Sequence, residues 1–560
     1  MGFIFSTSTP TSWFKKVGKM LCRNGQVEVV ESPPDIPKVE AKLSSRDELR
    51  KAIDESKRRY NETLEGFLRQ SRLVEPKDLL DLESRLHVEV AQSCLDPIVG
   101  ALIQDSHGEE EIQIKATVLQ LNRQHLRLQK SNQRVRITLL GGSEVEVITP
   151  YYLSRPPKGR GRPRQGNGRK EADGNGLYPV LTVLGLHLRM SPALVSEVAR
   201  LVALGTVDQA RDALARRGIK LNRKVIVRVA TSVAQSGLSY RDWVEQRTQG
   251  GARGRSAKGK RLVICADGGR VRIRTSKKGR RRKSGRKGYH GDWREPKVLV
   301  VYEVDEKGRK VKNGLCRYDA TMKDADGLFS ILTALLCEIG AHEALAWIVV
   351  GDGANWIWDR VPGLITALRY EPEKVTQVVD FYHATQRLHE IAAELKSWSA
   401  TERKKWIERM TRLLKEDRVE EVAEQRSLLF KGRGAKKRRK LFDYFSERAD
   451  KMLYGTYRKK GLPMGSGAVE SCVRRVVNLR LKGNGIFWSL ENAEAVLHLR
   501  AQLLSGRWDE FLQTILRPQD VWTFEAQDVY KTHREQALNM LERRNHHPRK
   551  AKEEEERKTA

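Results

Sequence analysis

The sequence has few cysteines and no long apolar run, and these shortages exclude several classes of protein. Its six cysteines, in 560 residues, are scattered without a Cys-x-x-Cys pair, so neither a zinc ribbon nor a disulfide framework is indicated. No apolar run approaches the ~18 residues of a membrane span, and no signal-peptide pattern is present. We therefore expect a cytoplasmic protein with free thiols, no membrane segment and no zinc.

Acidic residues are also in short supply. Lys and Arg number 105 and Asp and Glu 71, which gives a formal net charge of +34. Such an excess favours polyanionic partners, of which nucleic acid is the most general. The shortage is greatest in residues 251–290, where sixteen Lys or Arg accompany a single acid, Asp267. A merely basic or ribosome-associated protein is the alternative, but such chains rarely carry isolated acids at strand ends.

Asp267 follows a short apolar run that predicts a buried strand, Leu262–Cys265. The next residues alternate basic and apolar and predict a hairpin partner across a turn at Gly268-Gly269: Arg270, Val271, Arg272, Ile273 and Arg274. Further strands are predicted at 297–304, 347–350 and 375–379, and a helix at 327–339. For an isolated Asp-Gly, a plain turn residue is the commoner outcome.

Two more acids favour a functional role for Asp267 over that of a plain turn residue. A second apolar run, Leu345–Val350, leads to Asp352, and a helical pattern after Gly465 carries Glu470. Two strand-end aspartates and a helix-borne glutamate converge when both strands share one sheet and the helix packs on its face. Three oxygen ligands leave Mg²⁺ room for waters and phosphate oxygens, as two-metal phosphoryl transfer requires.

Several short blocks, in this order and spacing, resemble a known family. They are Asp267-Gly-Gly-Arg-Val-Arg, Gly351-Asp352-Gly, Asp380-Phe-Tyr-His383, Gly465-Ser-Gly-Ala-Val-Glu470-Ser, Lys482-Gly-Asn-Gly-Ile-Phe-Trp488 and Glu491–Arg500, with Leu177–Leu181 and Ser191–Ala199 upstream. On these blocks, residues 135–515 resemble the bacterial insertion-sequence transposases of the Kra-like group. That group belongs to the mutator-like DDE enzymes, which have a ribonuclease H-like core.

The resemblance implies an α/β fold. A ribonuclease H-like mixed sheet would carry a large all-helical insertion before the last catalytic helix, and a mainly helical DNA-binding region would precede it. It also implies a nucleoid-associated transposase that binds element ends, cleaves DNA and transfers the strand. Asp267, Asp352 and Glu470 would be catalytic and would hold two Mg²⁺ or Mn²⁺ ions, with Asp267 bridging both. Asp380 and His383 would support the site without binding metal.

The implied partners are double-stranded DNA, both terminal repeats and target, and further copies of the chain as a dimer or higher oligomer. Where family members often carry cysteine pairs, this chain has Arg160-Gly-Arg-Pro-Arg164. This segment resembles an AT-hook, with Arg160, Arg162 and Arg164 in the minor groove. A solvated basic linker is an equal alternative.

Other basic residues are candidates for DNA contact. Residues 208–235 resemble a helix-turn-helix with Arg223, Lys224 and Arg228 near the front of its second helix, although a plain helical hairpin is common. Arg270, Arg272 and Arg274, which follow Asp267, are also candidates for contact with DNA phosphates. Near Glu470, four residues would hold backbone phosphates: Arg474, Arg475, Arg480 and Lys482. Trp488 is a candidate for base stacking, although a core tryptophan is the more common outcome.

Composition and periodicity, together with the resemblance, divide the chain into eight segments: a disordered lead-in (1–40), a helical region (41–134), a β-hairpin and basic linker (135–176), a helix-turn-helix-like region (177–250), the first part of the core (251–385), a helical insertion (386–462), the final catalytic helices (463–515) and a charged tail (516–560). The insertion and the catalytic helices are what the resemblance implies. Two other functions stay open. One is a nuclease or resolvase that cuts without joining; the other is a non-catalytic DNA-binding protein, which would not need all three acids.

Overall fold

The computed structural model describes residues 46–70, 76–123, 126–154, 176–248, 254–276, 289–425, 435–517 and 530–543. The predicted lead-in, the AT-hook-like segment and the end of the charged tail lie outside these residues. The described residues form a mixed α/β structure. Its strands, in chain order, are β1 (Leu126–Thr138), β2 (Glu144–Ser154), β3 (Gly176–Leu177), β4 (Arg261–Gly268), β5 (Val271–Ser276), β6 (Tyr289–Arg294), β7 (Lys297–Val304), β8 (Cys316–Thr321), β9 (Ala346–Gly351) and β10 (Val375–Val379).

Five of these strands form a mixed sheet in the order β10-β9-β4-β7-β8. β4, β9 and β10 run parallel, while β7 is antiparallel to both β4 and β8. Strands β4 and β9 are nearly continuous apolar runs, as expected of parallel strands that are buried on both faces. Trp347 of β9 is fully buried, and its ring stacks on Tyr370 with centroids 4.0 Å apart. The centre of this sheet is thus a rigid support for the residues at its strand ends.

The predicted hairpin after Asp267 is wrong. β4 pairs with β7 instead, Asp267 opposite Val298, and β5 pairs with β6 in a separate two-stranded sheet. A two-residue hairpin turn needs positive φ at its central positions, and neither Gly268 nor Gly269 has it. Gly269 extends the pairing with the β7 side of the sheet, because its N–H donates to Pro296 O at 2.7 Å. β8, which the sequence did not predict, completes the sheet.

The helices are α1 (Arg46–Gln70), α2 (Pro76–Val90), α3 (Asp96–Asp105), α4 (Glu110–Asn122), α5 (Pro179–Val183), α6 (Pro192–Leu204), α7 (Val207–Ala215), α8 (Arg223–Thr248), α9 (Ala325–Ile339), α10 (Asn355–Trp358), α11 (Val361–Leu368), α12 (Phe381–Ala393), α13 (Ala400–Lys415), α14 (Val419–Glu424), α15 (Ala435–Ser446), α16 (Tyr454–Lys459), α17 (Gly467–Cys472), α18 (Leu479–Leu481), α19 (Leu490–Leu504) and α20 (Trp508–Ile515). Residues 530–543 are also helical. Two π-helical turns, Ala91–Leu95 and Val473–Asn478, interrupt this pattern.

Helix α19 joins the sheet to the helices before it. Its Val496 and Leu497 belong to the core around the sheet, whereas Ala495 and Leu499 pack with α6, α7 and α8. A buried ion pair reinforces the joint, because Arg241 of α8 donates to Asp319 of β8 at 3.1 Å and to Glu494 of α19 at 2.6 Å. The described residues between β10 and Glu470 are helical, from α12 to α16, and share the apolar core of the sheet.

Near the N-terminus, the β1–β2 hairpin forms as the alternation of Val135, Ile137, Val145 and Val147 predicts. One helical stretch beside it, Lys77–Gly108, is long and apolar enough to cross a membrane by length and composition alone. Asp96 inside this stretch is nevertheless buried, and its carboxylate accepts the backbone N–H groups of Gly141 and Ser143. The stretch thus packs against the hairpin, and a single helix of this kind is weak evidence for a membrane span.

Candidate functional site

Two neighbouring parallel strands deliver Asp267 and Asp352 to the same edge of the sheet. β4 and β9 pair with Cys265 beside Val350. Continued by two residues, this register sets Asp267 beside Asp352. In β4 the five residues before Asp267 are buried, which fixes the strand and therefore the direction of the aspartate. Strand-end carboxylates on adjacent parallel strands are in the position where α/β sheets bind ligands.

The electrostatics of Asp267 show that this edge is crowded with charge. The pKa of Asp267 is raised to about 6, chiefly by burial and also by the negative charges of Asp352 and Glu295, against the opposing effects of the Gly268 N–H and His383. Gly268 N donates to Asp267 Oδ1 at 2.6 Å. A carboxyl group with a raised pKa beside a second carboxylate is characteristic of functional sites. A bound cation would favour its ionised form.

Asp380 lies at the end of β10, the next parallel strand. Its side chain is completely buried, and Oδ1 accepts the backbone N–H groups of Tyr382 at 2.5 Å and His383 at 2.9 Å. Oδ2 accepts the backbone N–H of Ser466. Although burial alone would raise the pKa of Asp380, these hydrogen bonds and the contact with His383 lower it to about 2. Asp380 is therefore an ionised N-cap that also holds the turn before α17.

His383, in the first turn of α12, is surrounded by carboxylates. Its Nδ1 lies 3.6 Å from Asp380 Oδ1 and is buried without a hydrogen-bond partner among the described residues. The pKa of His383 is raised, first by Asp380 and then by the charges of Asp352 and Glu470. The charges of Asp352 and Glu470 thus act on the pKa of His383, and the charge of His383 in turn lowers the pKa of Asp267. All three predicted acids are therefore close enough to His383 to interact with its charge.

Glu470 reaches this point from a helix rather than a strand. Helix α17 packs on β4 and β7, and Cys472 Sγ lies 3.7 Å from Leu299 O. Glu470 is exposed, and its carboxylate lies in a group with Asp380 and His383 whose ligand atoms are all within 4.8 Å of one another. The helix continues into the π-turn Val473–Asn478. Single π-turns of this kind occur frequently at functional sites.

Asp380 and His383 both lie beside Glu470 in the structure. The sequence assigned them a supporting role without metal, yet the structure brings both into a group with Glu470 that could hold an ion. The oxygens of Asp380 already accept three N–H groups, so this residue positions its neighbours. The imidazole nitrogen of His383 is the more available donor. Imidazole ligands suit transition ions better than Mg²⁺, whereas carboxylates suit both Mg²⁺ and Mn²⁺.

The loop after Asp352 is held by residues that the sequence did not single out. Tyr444 of α15 donates its hydroxyl to Asp352 O at 3.0 Å, and Arg448 donates Nε to Gly353 O at 2.7 Å. Gly353 has φ +89°, and a Cβ there would lie 2.6 Å from the Tyr444 ring. The Gly-Asp-Gly pattern signals this demand for a glycine, but nothing in the sequence pairs it with α15.

Most predicted DNA-contacting residues near the site are accessible. Arg270, Arg274, Arg474, Arg475 and Lys482 are exposed, and Arg272 is partly buried. Arg474 and Arg475 lie one turn beyond Glu470. Farther away, Arg223, Lys224 and Arg228 are exposed on α8, where Arg223 pairs with Asp208 of α7 at 2.8 Å. Arg160, Arg162 and Arg164 lie outside the described residues.

Arg480 and Trp488 have internal roles instead. Arg480 is 7% exposed, donates Nε to Val202 O at 3.0 Å and lies over the Trp488 ring at 4.9 Å. Burial lowers its pKa to about 10. Trp488 donates Nε1 to Leu481 O and packs against the core. In this arrangement, the predicted phosphate contact of Arg480 is replaced by a tie to α6, and Trp488 is the partly buried core tryptophan.

Comparisons of the chain with family models, with curated proteins and with solved structures give no match.

Proposed function

We propose that the chain is a DDE transposase, which binds the ends of a mobile element and catalyses metal-dependent DNA cleavage and strand transfer. The observation that carries this proposal is the register of β4 and β9, which sets Asp267 beside Asp352, together with Glu470, whose carboxylate lies within 4.8 Å of Asp380 and His383. These acids come from two parallel strands and one helix that are far apart in the chain. A merely basic DNA-binding protein has no reason to gather acids here, since burial and the charge of Asp352 oppose the ionisation of Asp267.

The sheet supports a ribonuclease H-like core as the finer description of the α/β fold. Such a core places an antiparallel meander beside parallel strands, with one acid on the first strand and one on the fourth. Here β4, β7 and β8 form the meander, and β9 and β10 add in parallel on the other side of β4. Asp267 lies on the first strand and Asp352 after the fourth. The helical segment before Glu470 corresponds to the insertion that the resemblance implies.

The donors fit divalent cations. Asp267, Asp352 and Glu470 would hold two Mg²⁺ or Mn²⁺ ions, and His383 offers a further nitrogen. A bound ion in such a site supplies charge for the developing phosphate oxygens and lowers the pKa of a water. Asp380 is the positioning residue, because its hydrogen bonds fix α12 and the turn before α17.

The chain's own cations would hold the DNA. Arg474, Arg475 and Lys482 would bind backbone phosphates next to Glu470, and Arg270, Arg272 and Arg274 would do so on the other side of Asp267. Arg223, Lys224 and Arg228, together with Arg160, Arg162 and Arg164, would engage DNA farther from the cleaved bond. Backbone contacts set position rather than sequence. Two element ends must be brought together for transfer, so we propose a homodimer or larger assembly on DNA.

The proposal is tested with purified full-length protein, Mg²⁺ and a plasmid that carries the DNA flanking the gene. We expect nicking at the element ends and covalent joining of the liberated 3′ ends to a second plasmid. Asp352→Asn should abolish both. Asp305→Asn is the control, because Asp305 follows β7 at the opposite end of the strands and its contacts, with Lys307 and Arg309, stay within one exposed turn. Cutting without joining would assign the chain to the nucleases or resolvases. The absence of both cutting and joining would refute an enzymatic role.

A further inference from the structure

The β5–β6 hairpin displays aromatic and basic side chains on one face. Arg272 pairs with Trp293, Arg274 with Gly291 and Ser276 with Tyr289, and successive residues of a strand point to opposite faces. Arg272, Arg274, Trp293 and Tyr289 therefore share a face. Val271 and Ile273 lie on the other face, buried in the core around the sheet.

A third aromatic ring completes the row. Phe487, from the segment after α18, lies over Gly291, where a Cβ would be only 2.5 Å from the ring. Its ring meets Tyr289 edge-on with centroids 5.2 Å apart. We call Arg272, Arg274, Tyr289, Trp293 and Phe487 the aromatic platform. Gly291 lies between Tyr289 and Trp293 and has no side chain, so the Phe487 ring can pack directly on its backbone.

The arginines of the platform lie on the rings. Arg272 is 4.8 Å from the centroid of Trp293 and 5.6 Å from that of Phe487, and Arg274 is 4.9 Å from that of Tyr289. Within the part of the chain that the structure describes, no carboxylate pairs with either arginine. Tyr289 is 47% and Trp293 48% exposed. Large aromatic side chains clustered on a surface mark an interaction site.

The platform lies beside the candidate catalytic acids. Only Gly268, Gly269 and Arg270 separate Asp267 from β5. Glu295, the first residue after β6, acts on the pKa of Asp267. Trp488 fixes the hairpin to the segment that follows Glu470, since its N–H donates to Arg272 O at 2.9 Å and its O accepts from Arg274 N at 2.7 Å. The aromatic platform is thus connected directly to the strand of Asp267 and, through Trp488, to the segment that follows Glu470.

We propose that the aromatic platform stacks unpaired bases of DNA next to the cleavage site. Bases in a duplex are already stacked on both faces, so exposed rings gain contact only from nucleotides that have left the helix. The arginines supply cations for the phosphates of the same strand, and ring faces accept any base. The inference rests on the proposed function for the identity of the nucleic acid, but it concerns binding and not chemistry.

The test is equilibrium binding of the full chain to labelled DNA in EDTA, where cleavage plays no part. The probes are a blunt duplex and the same duplex ending in four unpaired nucleotides, one of them 2-aminopurine. We expect tighter binding to the unpaired end, with loss of 2-aminopurine emission as the base stacks. Tyr289→Ala with Trp293→Ala should weaken binding to the unpaired end at least about tenfold, because each stacked base contributes roughly that much, and should leave the blunt duplex unchanged.

Controls separate stacking from folding and from catalysis. Trp293→Phe keeps a ring and should retain most of the preference, while Tyr60→Ala removes an exposed aromatic from α1 and should change nothing. Equal affinity of the wild type for both ends, or equal losses on both in the double variant, would overturn the platform. Polyglutamate displacing the unpaired end from wild type, but not from the double variant, would assign the face to an acidic protein instead. Failure of cleavage with this binding intact would refute only the transposase proposal.

Discussion

Asp380 accepts the backbone N–H of Ser466, a residue 86 positions later in the chain. Through this one contact the end of β10 holds the turn from which the helix of Glu470 begins. Asp380 N also donates to Gly351 O at 2.8 Å, immediately before Asp352. Asp380 thus connects, through its carboxylate on one side and its backbone N–H on the other, the segments that carry two of the three proposed metal-holding residues.

Asp380→Asn should weaken both the fold and the reaction. An amide has one acceptor oxygen, so either Ser466 N or the N–H groups at the start of α12 lose their partner. A buried donor left unsatisfied costs roughly 1–3 kcal/mol of unfolding free energy. Chemical denaturation at pH 7 measures this loss, and Asp305→Asn provides the control.

The same variant has a defined pH signature. The folded pKa of Asp380, about 2, lies below its ordinary value of 3.8. The charged form therefore stabilises the fold above pH ~4, and this stabilisation is lost as the pH falls towards 2. The difference between wild type and variant should shrink over that window. A difference that stays constant down to pH 2 would show that the charge of Asp380 does not contribute.

Asp267→Asn should have the opposite effect on stability while abolishing cleavage. The pKa of Asp267 is raised from 3.8 to about 6 by burial, so the native state holds the proton more tightly than the unfolded chain. Stability then falls as the pH rises from about 4 to about 6 and stays lower above it. The neutral amide avoids this penalty, which a change in pKa of this size sets at no more than about 3 kcal/mol.

Unfolding in EDTA at pH 4 and pH 8 checks this expectation. The variant should be more stable than wild type at pH 8 and nearly equal to it at pH 4. Saturating Mg²⁺ should stabilise wild type more than the variant, because a cation relieves the repulsion between Asp267 and Asp352. Lower stability of Asp267→Asn at both pH values would mean that the carboxylate is structural.

Most strands of the sheet could be predicted because apolar, largely β-branched residues dominate them. The predicted strands at 297–304 and 375–379 coincide with β7 and β10. β8 could not be found in this way, since Arg317 and Asp319 interrupt its apolar residues. Asp319 is tolerated inside because Arg241 of α8 neutralises it, and a partner 78 residues away leaves no local signal in the sequence.

Some residues of the candidate site could likewise be predicted from the sequence, and others could not. Strand ends and a glycine-flanked helix predicted Asp267, Asp352 and Glu470 as a group. The position of His383 depends on where α12 starts relative to α17, and this is fixed by contacts between distant residues, such as Asp380 with Ser466 and Phe381 N with Met464 O. Arg480 shows the converse failure: in the sequence it continues a series of exposed basic residues, but the π-turn Val473–Asn478 shifts the helical phase before it. Whether the eight predicted segments are separate domains stays a prediction.

Arg474→Ala and Arg480→Ala form a matched pair of predictions. Arg474 is exposed, so its loss should weaken DNA binding and reduce the slope of log affinity against log salt by roughly one, without lowering the melting temperature. Arg480 is buried, so its loss should lower the melting temperature and leave the salt slope unchanged. Fluorescence anisotropy at several salt concentrations and thermal unfolding distinguish them. Identical behaviour of the two variants would contradict their assignment to surface and interior.

The AT-hook-like segment leads to a prediction about DNA composition. Arginines in a narrow minor groove gain from its enhanced negative potential, which A/T-rich sequences provide. Arg160→Ala with Arg162→Ala should therefore weaken binding to A/T-rich duplexes more than to G/C-rich duplexes of the same length. Competition binding at constant salt measures the ratio. An equal loss on both duplexes would reduce the segment to a charged linker.

Glu470→Gln should separate chemistry from binding. The change removes a metal ligand and also a negative charge that faces the DNA phosphates, so cleavage should be lost while DNA affinity is kept or rises. Mg²⁺ or Mn²⁺ should be essential for wild-type cleavage, and Ca²⁺ should support binding without turnover. The assay is cleavage of an end-labelled duplex beside anisotropy on the same DNA.

Survival of cleavage in Glu470→Gln would mean that another acid is the third ligand. Glu491 and Glu494 are the nearest candidates in the sequence, but Glu494 already accepts hydrogen bonds from Arg241, Thr321 and the Met322 N–H. Its replacement should chiefly unfold the joint between α8, β8 and α19. Glu491, exposed in the first turn of α19, would then be the residue to replace, and loss of cleavage in Glu491→Gln with an unchanged melting temperature would identify it.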